Sequence, residues 1–461
     1  GYNAIPVTYP AGAPILGDRA VSAAGGFYCN QTPVVGRGEN EQIAATLNLS
    51  YALSDTATLR SITAYVRTDD VFRWDLSGGT RTPTGFAATF VRNSRARSSQ
   101  FSQELQLAGE AADGRLDYLA GLFYFSEDSL QTLNDVSNGF ALLPTTLDTR
   151  TSSVAAFAQA SFKITEALGV TAGVRYTEDK KRLNGSIQSG FAPPITLVPV
   201  ARRDTFGAWT PKFGIDYTAS RNVFVYASIS RGYKAGGYNG LAVGNPLVLS
   251  AAYGPQTVWA YEAGVKLTSD DRRSRVNISV FQNELKGLQQ TATIAPFSFA
   301  TQNVGDARLN GVEVEASTQP VRGLTLFGNI GYMDDKYRRL IPGSQAAQAN
   351  ARRLPLVPHW TWQLGASYES QPIGNTGMKL KTAASFRQTS SFFSSVDNVS
   401  LTGAYGRLDG SIGVATDDDR WELTASGRNI LSDRTYVSVF NFGAATPARP
   451  AEWLLTLRYR R

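Results

Sequence analysis

The chain has 461 residues, a net charge of +7, and only one cysteine, one histidine and two methionines. That length suits two or three soluble domains or one large barrel, while a lone Cys29 and a lone His359 exclude an internal disulfide and the common zinc and haem ligand sets. The modest, scattered positive charge fits anionic lipid or an anionic solute and not nucleic acid.

Residues 1–40 are rich in glycine and proline, carry no sustained period and read as one long loop. No secretory signal is visible at Gly1. Within this stretch Cys29 is a loop thiol, free or paired with a cysteine outside the sequence, and Asn30-Gln-Thr32 matches the glycosylation pattern by chance.

From Glu41 to the end, segments of roughly ten residues alternate apolar and polar side chains, and no apolar run approaches the roughly 18 residues of a membrane helix. Side chains on a strand point alternately to opposite faces, so each segment has a greasy face and a polar one. The greasy sets are clearest at Ile43, Ala45, Leu47, Leu49 and Tyr51; at Val170, Ala172, Val174 and Tyr176; at Leu324, Leu326, Ile330 and Tyr332; at Trp362, Leu364, Ala366 and Tyr368; and at Trp453, Leu455, Leu457 and Tyr459. Opposite them lie Thr171, Gly173, Arg175 and Thr177, or Glu422, Thr424, Ser426 and Arg428. An arginine facing lipid at mid-bilayer costs about 2–4 kcal/mol, so the polar face lines a wet or plugged lumen. Leu59 to Val66 fits either register, and its faces stay open.

Short connections such as Thr165 to Ala167, Ser269 to Arg273 and Asp417 to Arg420 alternate with long ones such as Ser77 to Arg97, Glu178 to Asp204 and Arg338 to Pro358. Short turns belong to the periplasmic rim and long loops to the outside. The pattern predicts an all-β, antiparallel transmembrane β-barrel wall of roughly seventeen strands, an odd number that an all-antiparallel barrel cannot close. The expectation is that the N-terminal part of the barrel lies outside this sequence. Trp74, Tyr124, Trp209, Trp259 and Trp362 sit at segment ends and read as interfacial girdles. A sugar-binding set is the alternative.

Chemistry on this wall is sparse. Glu313 and Glu315 project to the polar face with Gly311 and Ser317, beside strands bearing Lys266 and Arg387, but no nucleophile or oxyanion site accompanies them, so no catalytic residue is expected. Asp417-Asp-Asp419 lacks EF-hand spacing and reads as a solvated turn. Gly232 to Gly237 is not followed by a phosphate-cradling helix. His359, just before a strand, reads as an interfacial or loop histidine.

Several stretches resemble the TonB-dependent receptors of Gram-negative outer membranes. They are Ser230-Arg-Gly-Tyr-Lys-Ala-Gly-Gly-Tyr-Asn239, Ser102-Gln-Glu-Leu-Gln-Leu-Ala108, Leu119-Ala-Gly-Leu-Phe-Tyr124, Asn303-Val-Gly-Asp-Ala-Arg-Leu-Asn-Gly-Val-Glu313 and Gly427-Arg-Asn-Ile-Leu-Ser-Asp-Arg-Thr-Tyr436. The resemblance implies a barrel of about twenty-two strands around a plug, with residues 41–461 its C-terminal part and the plug and TonB-binding segment absent here. It further implies an outer-membrane location among lipid and lipopolysaccharide, and TonB-energised uptake of an extracellular small molecule such as an iron–siderophore complex. No cofactor, metal site or enzymatic activity is implied. Glycans, haem or cobalamin remain alternative cargoes, and a passive pore is the alternative mechanism. Tyr233, Lys234, Tyr238, Arg387 and Phe442 are the expected ligand contacts near the outer mouth.

Overall fold

The computed structural model describes residues 35–75, 90–137, 140–188, 196–240, 246–295, 298–439 and 445–461, so Cys29, Asn30, Thr32 and Phe442 lie outside the described residues. In chain order the elements are β1 (Arg37–Ser54), β2 (Ala57–Asp75), β3 (Phe90–Ala111), β4 (Leu116–Ser137), β5 (Phe140–Ala141), β6 (Thr145–Lys163), β7 (Leu168–Gln188), β8 (Leu197–Ser220) and β9 (Val223–Lys234). Next come α1 (Pro246–Ser250), β10 (Gln256–Thr268), β11 (Ser274–Ala295), β12 (Ser298–Val321), β13 (Leu324–Leu340), α2 (Gln345–Gln348), β14 (Trp360–Glu369) and β15 (Met378–Thr389). The chain ends with β16 (Phe392–Phe393), β17 (Leu401–Thr402), β18 (Tyr405–Thr416), β19 (Trp421–Arg428), β20 (Tyr436–Val439), β21 (Ala445–Pro447) and β22 (Glu452–Tyr459).

One sheet of 18 strands dominates, and its two-residue member β5 only extends the β4 edge, so the long strands number seventeen, as expected from the sequence. Each long strand pairs antiparallel with the next, from β1 against β2 through β19 against β22. β1 and β22 therefore run the same way, and among the described residues they do not pair with each other. The first strand begins at Arg37, slightly upstream of the boundary expected at residue 41.

Register explains why Leu59 to Val66 resisted reading. Leu47, Leu49 and Tyr51 on the greasy face of β1 stand opposite Thr63, Ser61 and Leu59. The outward face of β2 thus carries Leu59, Ser61, Thr63 and Tyr65, half of them polar. Those hydroxyls are not left bare: Thr63 Oγ1 donates to Gln103 Oε1 at 2.6 Å, and Gln103 Nε2 donates to Ser61 Oγ at 2.9 Å. Lipid offers no hydrogen-bond partners, so such a closed set is the form in which polar groups are tolerated on this face.

Most strands are far longer than the ten residues read from the sequence. The bilayer needs about 9–11 residues of tilted strand, whereas β7 has 21 and β8 and β12 have 24 each. The stretch Glu178 to Asp204, expected to be loop, is mostly the outer continuation of β7 and β8. Its alternation is reversed. Below Glu178 the even positions of β7, Val170 to Tyr176, are the apolar outward face. Above it the even positions Glu178, Lys180, Arg182 and Asn184 are polar, while Leu183 and Ile187 on the luminal parity are 2% and 0% exposed. This reversal marks where the wall leaves lipid and enters water.

Two cores form above that line. Leu147, Leu183, Ile187, Val200, Val248, Leu249 and Ala300 make one, seating α1 on the outer ends of β6, β7, β8 and β12. Leu288, Val304, Ala307, Ala346, Ala351, Leu354 and Val396 make the other, beneath α2 and the segment that follows it. The periplasmic connections are tight turns; Gly323, at φ +84°, leaves no room for a Cβ against the Glu369 carbonyl.

Candidate functional site

The stretch Ser230 to Asn239 gathers the outer loops. β9 ends at Lys234, and Gly237 then exchanges backbone hydrogen bonds with Tyr253 at 3.1 and 2.9 Å. Gly236 lies beneath the Tyr253 carbonyl and the Phe206 ring, where no Cβ fits. The Tyr238 hydroxyl is 2.8 Å from Asp204 Oδ2 and 3.0 Å from the Lys181 carbonyl, and burial together with Asp204 raises its pKa above the ordinary 10.0. Asn239 Oδ1 accepts from the Thr301 amide at 2.7 Å.

Other motifs serve the same end. Asn303 grips Gly254 from both sides, accepting from its amide at 2.6 Å and donating to its carbonyl at 3.1 Å. Gln289 donates to the carbonyls of Ala235 and Gly254 at 2.9 and 2.8 Å. Asp306 accepts from the Gly287 amide at 3.0 Å and from Arg339 Nε at 2.9 Å. In the last motif Asn429 donates to the carbonyls of Asp433 and Arg449 at 3.0 and 3.1 Å. Asp335, with a fully buried side chain, accepts from Arg353 Nη2 at 2.5 Å and the Leu354 amide at 2.6 Å, tying the segment after α2 to β13. Arg92 and Asp135, each 3% exposed, form an ion pair at 2.8 Å at the outer ends of β3 and β4. Among the described residues, the outer segments are therefore clamped to one another and to the strand ends.

Below them the luminal face holds its charges in local arrangements. The Tyr226 hydroxyl donates to Glu262 at 2.5 Å, and Lys266 lies over the Phe224 and Tyr226 rings at 5.8 and 5.6 Å. Arg175 stacks on Phe123 and Phe157 at 5.2 and 5.5 Å. Arg308 and Glu284 pair at 2.5 Å on the opposite, outward parity, which they share with Val280 and Val312. Toward the periplasm Lys381 meets Asp419 at 2.7 Å and Glu422 at 3.5 Å, and Lys379 meets Asp419 at 3.3 Å. Glu315 accepts from Asn277 at 3.5 Å, and neither it nor Glu313 forms an ion pair among the described residues, so Lys266 and Arg387 are not their partners.

The expected ligand residues fall in different places. Lys234 is exposed on the luminal parity at the top of β9, opposite Gln256. Tyr233, its neighbour, shares the other face with Ile229 and Arg231. Tyr238 belongs to the loop clamp. Arg387 projects from the luminal face of β15, six strands further along the sheet from β9, with Nη2 3.3 Å from Asp409. Directly opposite Arg387 stands Arg407 on β18. Sequence reading passed over Arg407, although its alternation with Asp409 and Ser411 against Leu408 and Ile412 carried the signal. Nothing local in the sequence announced Asp335 with Arg353, or Arg92 with Asp135.

Apolar outside, charged inside and built of hairpins with long outer connections, the sheet is the wall of a transmembrane β-barrel. The profile of the family described as "TonB dependent receptor-like, beta-barrel" matches residues 2–430, and the chain belongs to that family. It is accordingly an outer-membrane protein of a receptor family, not an enzyme. Among curated proteins it is 28% identical over 198 residues to the metal-pseudopaline receptor CntO of Pseudomonas aeruginosa, a match covering 43% of this chain and 25% of that protein. It is 24% identical over 297 residues to a ferric-pyoverdine receptor, PbuA, of a Pseudomonas strain, covering 64% of this chain and 34% of the relative. The fold matches the ferric yersiniabactin uptake receptor FyuA of Yersinia pestis with a TM-score of 0.76 at 17% identity, over 92% of this chain and 61% of FyuA. It matches the siderophore receptor PiuA of Acinetobacter baumannii with a TM-score of 0.75 at 16% identity, over 100% of this chain and 70% of PiuA. The matched regions thus span a quarter to a third of the curated relatives' lengths.

Proposed function

We propose that this chain is the greater part of the wall of an outer-membrane transporter that takes up a scarce metal chelate, of the metal–siderophore kind, with energy delivered through TonB. The observation that carries the reading is the reversal of polarity along the strands. It sets a charged lumen inside the bilayer beneath a mouth whose loops are fixed by their own cores, which suits capture of a bulky solute at the outer surface. The names of CntO and PbuA, receptors for metal-pseudopaline and ferric pyoverdine, support a metal chelate over a glycan or cobalamin. Tyr233, Lys234, Tyr238, Arg387 and Phe442 are the chelate's contacts in this reading. Its outer girdle faces lipopolysaccharide. TonB engages the protein through a plug and an N-terminal segment of the kind the family resemblance implies. Uptake of radiolabelled iron chelates by cells carrying the full-length protein, with and without TonB, tests the proposal. Accumulation should vanish without TonB; accumulation that persists unchanged overturns it in favour of a passive pore.

A further inference from the structure

Resting on that reading, we propose that Arg387 and Arg407 form an oxyanion seat for the cargo. The transported chelate then carries at least one anionic oxygen group, a carboxylate, phosphate or sulfonate, outside the coordination shell of its metal. The two arginines are register partners on β15 and β18, both on the luminal face near the outer ends of their strands, where Thr389 stands opposite Tyr405. Like charges placed directly opposite on neighbouring strands repel, so the pair needs negative charge nearby. Among the described residues Asp409 is the one carboxylate in ion-pair range of either guanidinium, Asp433 being engaged by the Gly406 amide at 3.0 Å. Asp409 Oδ2 lies 3.3 Å from Arg387 Nη2, and its Oδ1 is already engaged by the Asn429 amide at 2.9 Å.

Arg407 is the telling member. Its guanidinium lies 5.2 Å from the centre of the Tyr405 ring, an arrangement that favours the charge but accepts no directed hydrogen bond along the plane of the fork. Its Nε and Nη2 are shielded from solvent and have no acceptor among the described residues. Toward the periplasm Lys379 and Lys381 on the same strand both meet Asp419, so β15 neutralises its lower cations within the wall. Two guanidinium forks on adjacent strands match the paired oxygens of a single oxyanion, the geometry in which arginine binds most strongly. Gln363, opposite Arg387 on β14, adds an amide at the edge of the seat.

The test uses the full-length protein purified in detergent, with inorganic pyrophosphate as the probe and sodium chloride of equal ionic strength as the reference. Pyrophosphate should raise the wild-type melting temperature above the chloride value. Arg407→Gln should abolish that rise, Arg387→Gln should reduce it, and Arg420→Gln in a periplasmic turn should keep it. No rise in the wild type, or an equal rise in all four proteins, overturns the seat. In cells, Arg407→Gln should raise the KM for uptake of the transported chelate by roughly tenfold, the size of one lost charge-assisted contact, with little change in maximal rate. TonB-dependent uptake alongside a pyrophosphate response indifferent to both arginines would leave the transport reading standing and remove this one.

Discussion

Placing an arginine at Leu364 tests the assignment of faces most directly. β14 runs from Trp360 to Glu369, and Trp360, Trp362, Leu364, Ala366 and Tyr368 share its outward face. Leu364 is 61% exposed on the protein surface and stands four residues from both Trp360 and Tyr368. At about 3.3 Å per residue it lies roughly 13 Å from each aromatic end, the middle of an apolar band about 25 Å tall. Leu364→Arg should therefore cost about 2–4 kcal/mol, a shift of roughly thirty- to nine-hundredfold in the folding equilibrium. Trp360→Arg, at the interface, should cost about 0–1 kcal/mol for the charge. Ser367→Arg, on the luminal face of the same strand, should change stability by about 0.5 kcal/mol or less. Urea titrations of protein folded into phosphatidylcholine vesicles, read by tryptophan fluorescence and heat-modifiable gel mobility, give the three values. A Leu364→Arg cost no larger than that of Ser367→Arg would show that this face does not meet lipid.

A Cβ at Gly365 would strike the Phe327 ring; Gly365→Val should lower stability by about 1–3 kcal/mol, and Phe327→Ala in the same protein should recover part of it in urea titration. Asn303→Ala removes both bonds to Gly254, and hydrogen exchange should accelerate over residues 246–255, by about 1–3 kcal/mol of local opening energy, while β14 and β15 stay protected. Asp335→Asn frees the segment after α2, so limited trypsin digestion should cut at Arg352 and Arg353 much faster than in the wild type. Hydrogen bonds from Lys381 and Lys379 hold the Asp419 carboxyl below its ordinary value of 3.8. A depressed folded-state value contributes stability above the unfolded value that is lost as pH falls through the folded one, so exchanging both lysines for glutamine should flatten the melting-temperature profile in the acid range below 3.8.

The lower half of the wall was legible because the bilayer imposes a strict code. Val170 to Tyr176 and Trp453 to Tyr459 announced their outward faces, and the rhythm of short and long connections oriented them. Ser61, Thr63 and Gln103 broke that code by satisfying one another, so the faces of β2 became clear only from its pairing with β1. The upper extensions were hidden for a different reason. Lys180, Arg182 and Asn184 look like loop to a reader expecting greasy outward faces, and the core that buries Leu183 depends on Leu147, Val248 and Ala300, which no local pattern connects. The motifs were recognisable as signatures, but their work as clamps required seeing that Asn303 reaches Gly254 and that Asn239 reaches Thr301. The luminal parity of Arg387, and equally that of Arg407, was readable from alternation, but that the two stand opposite each other needed the register.

The reversal of polarity within β7 has a consequence for how such a molecule can change. A substitution below Glu178 answers to lipid, and one above it answers to water and to a small core of the soluble kind. The outer part is in effect a separate headpiece grown from the same strands. It can be reshaped for a new cargo without disturbing the surface by which the wall is inserted, because the two obey opposite rules on either side of a single residue.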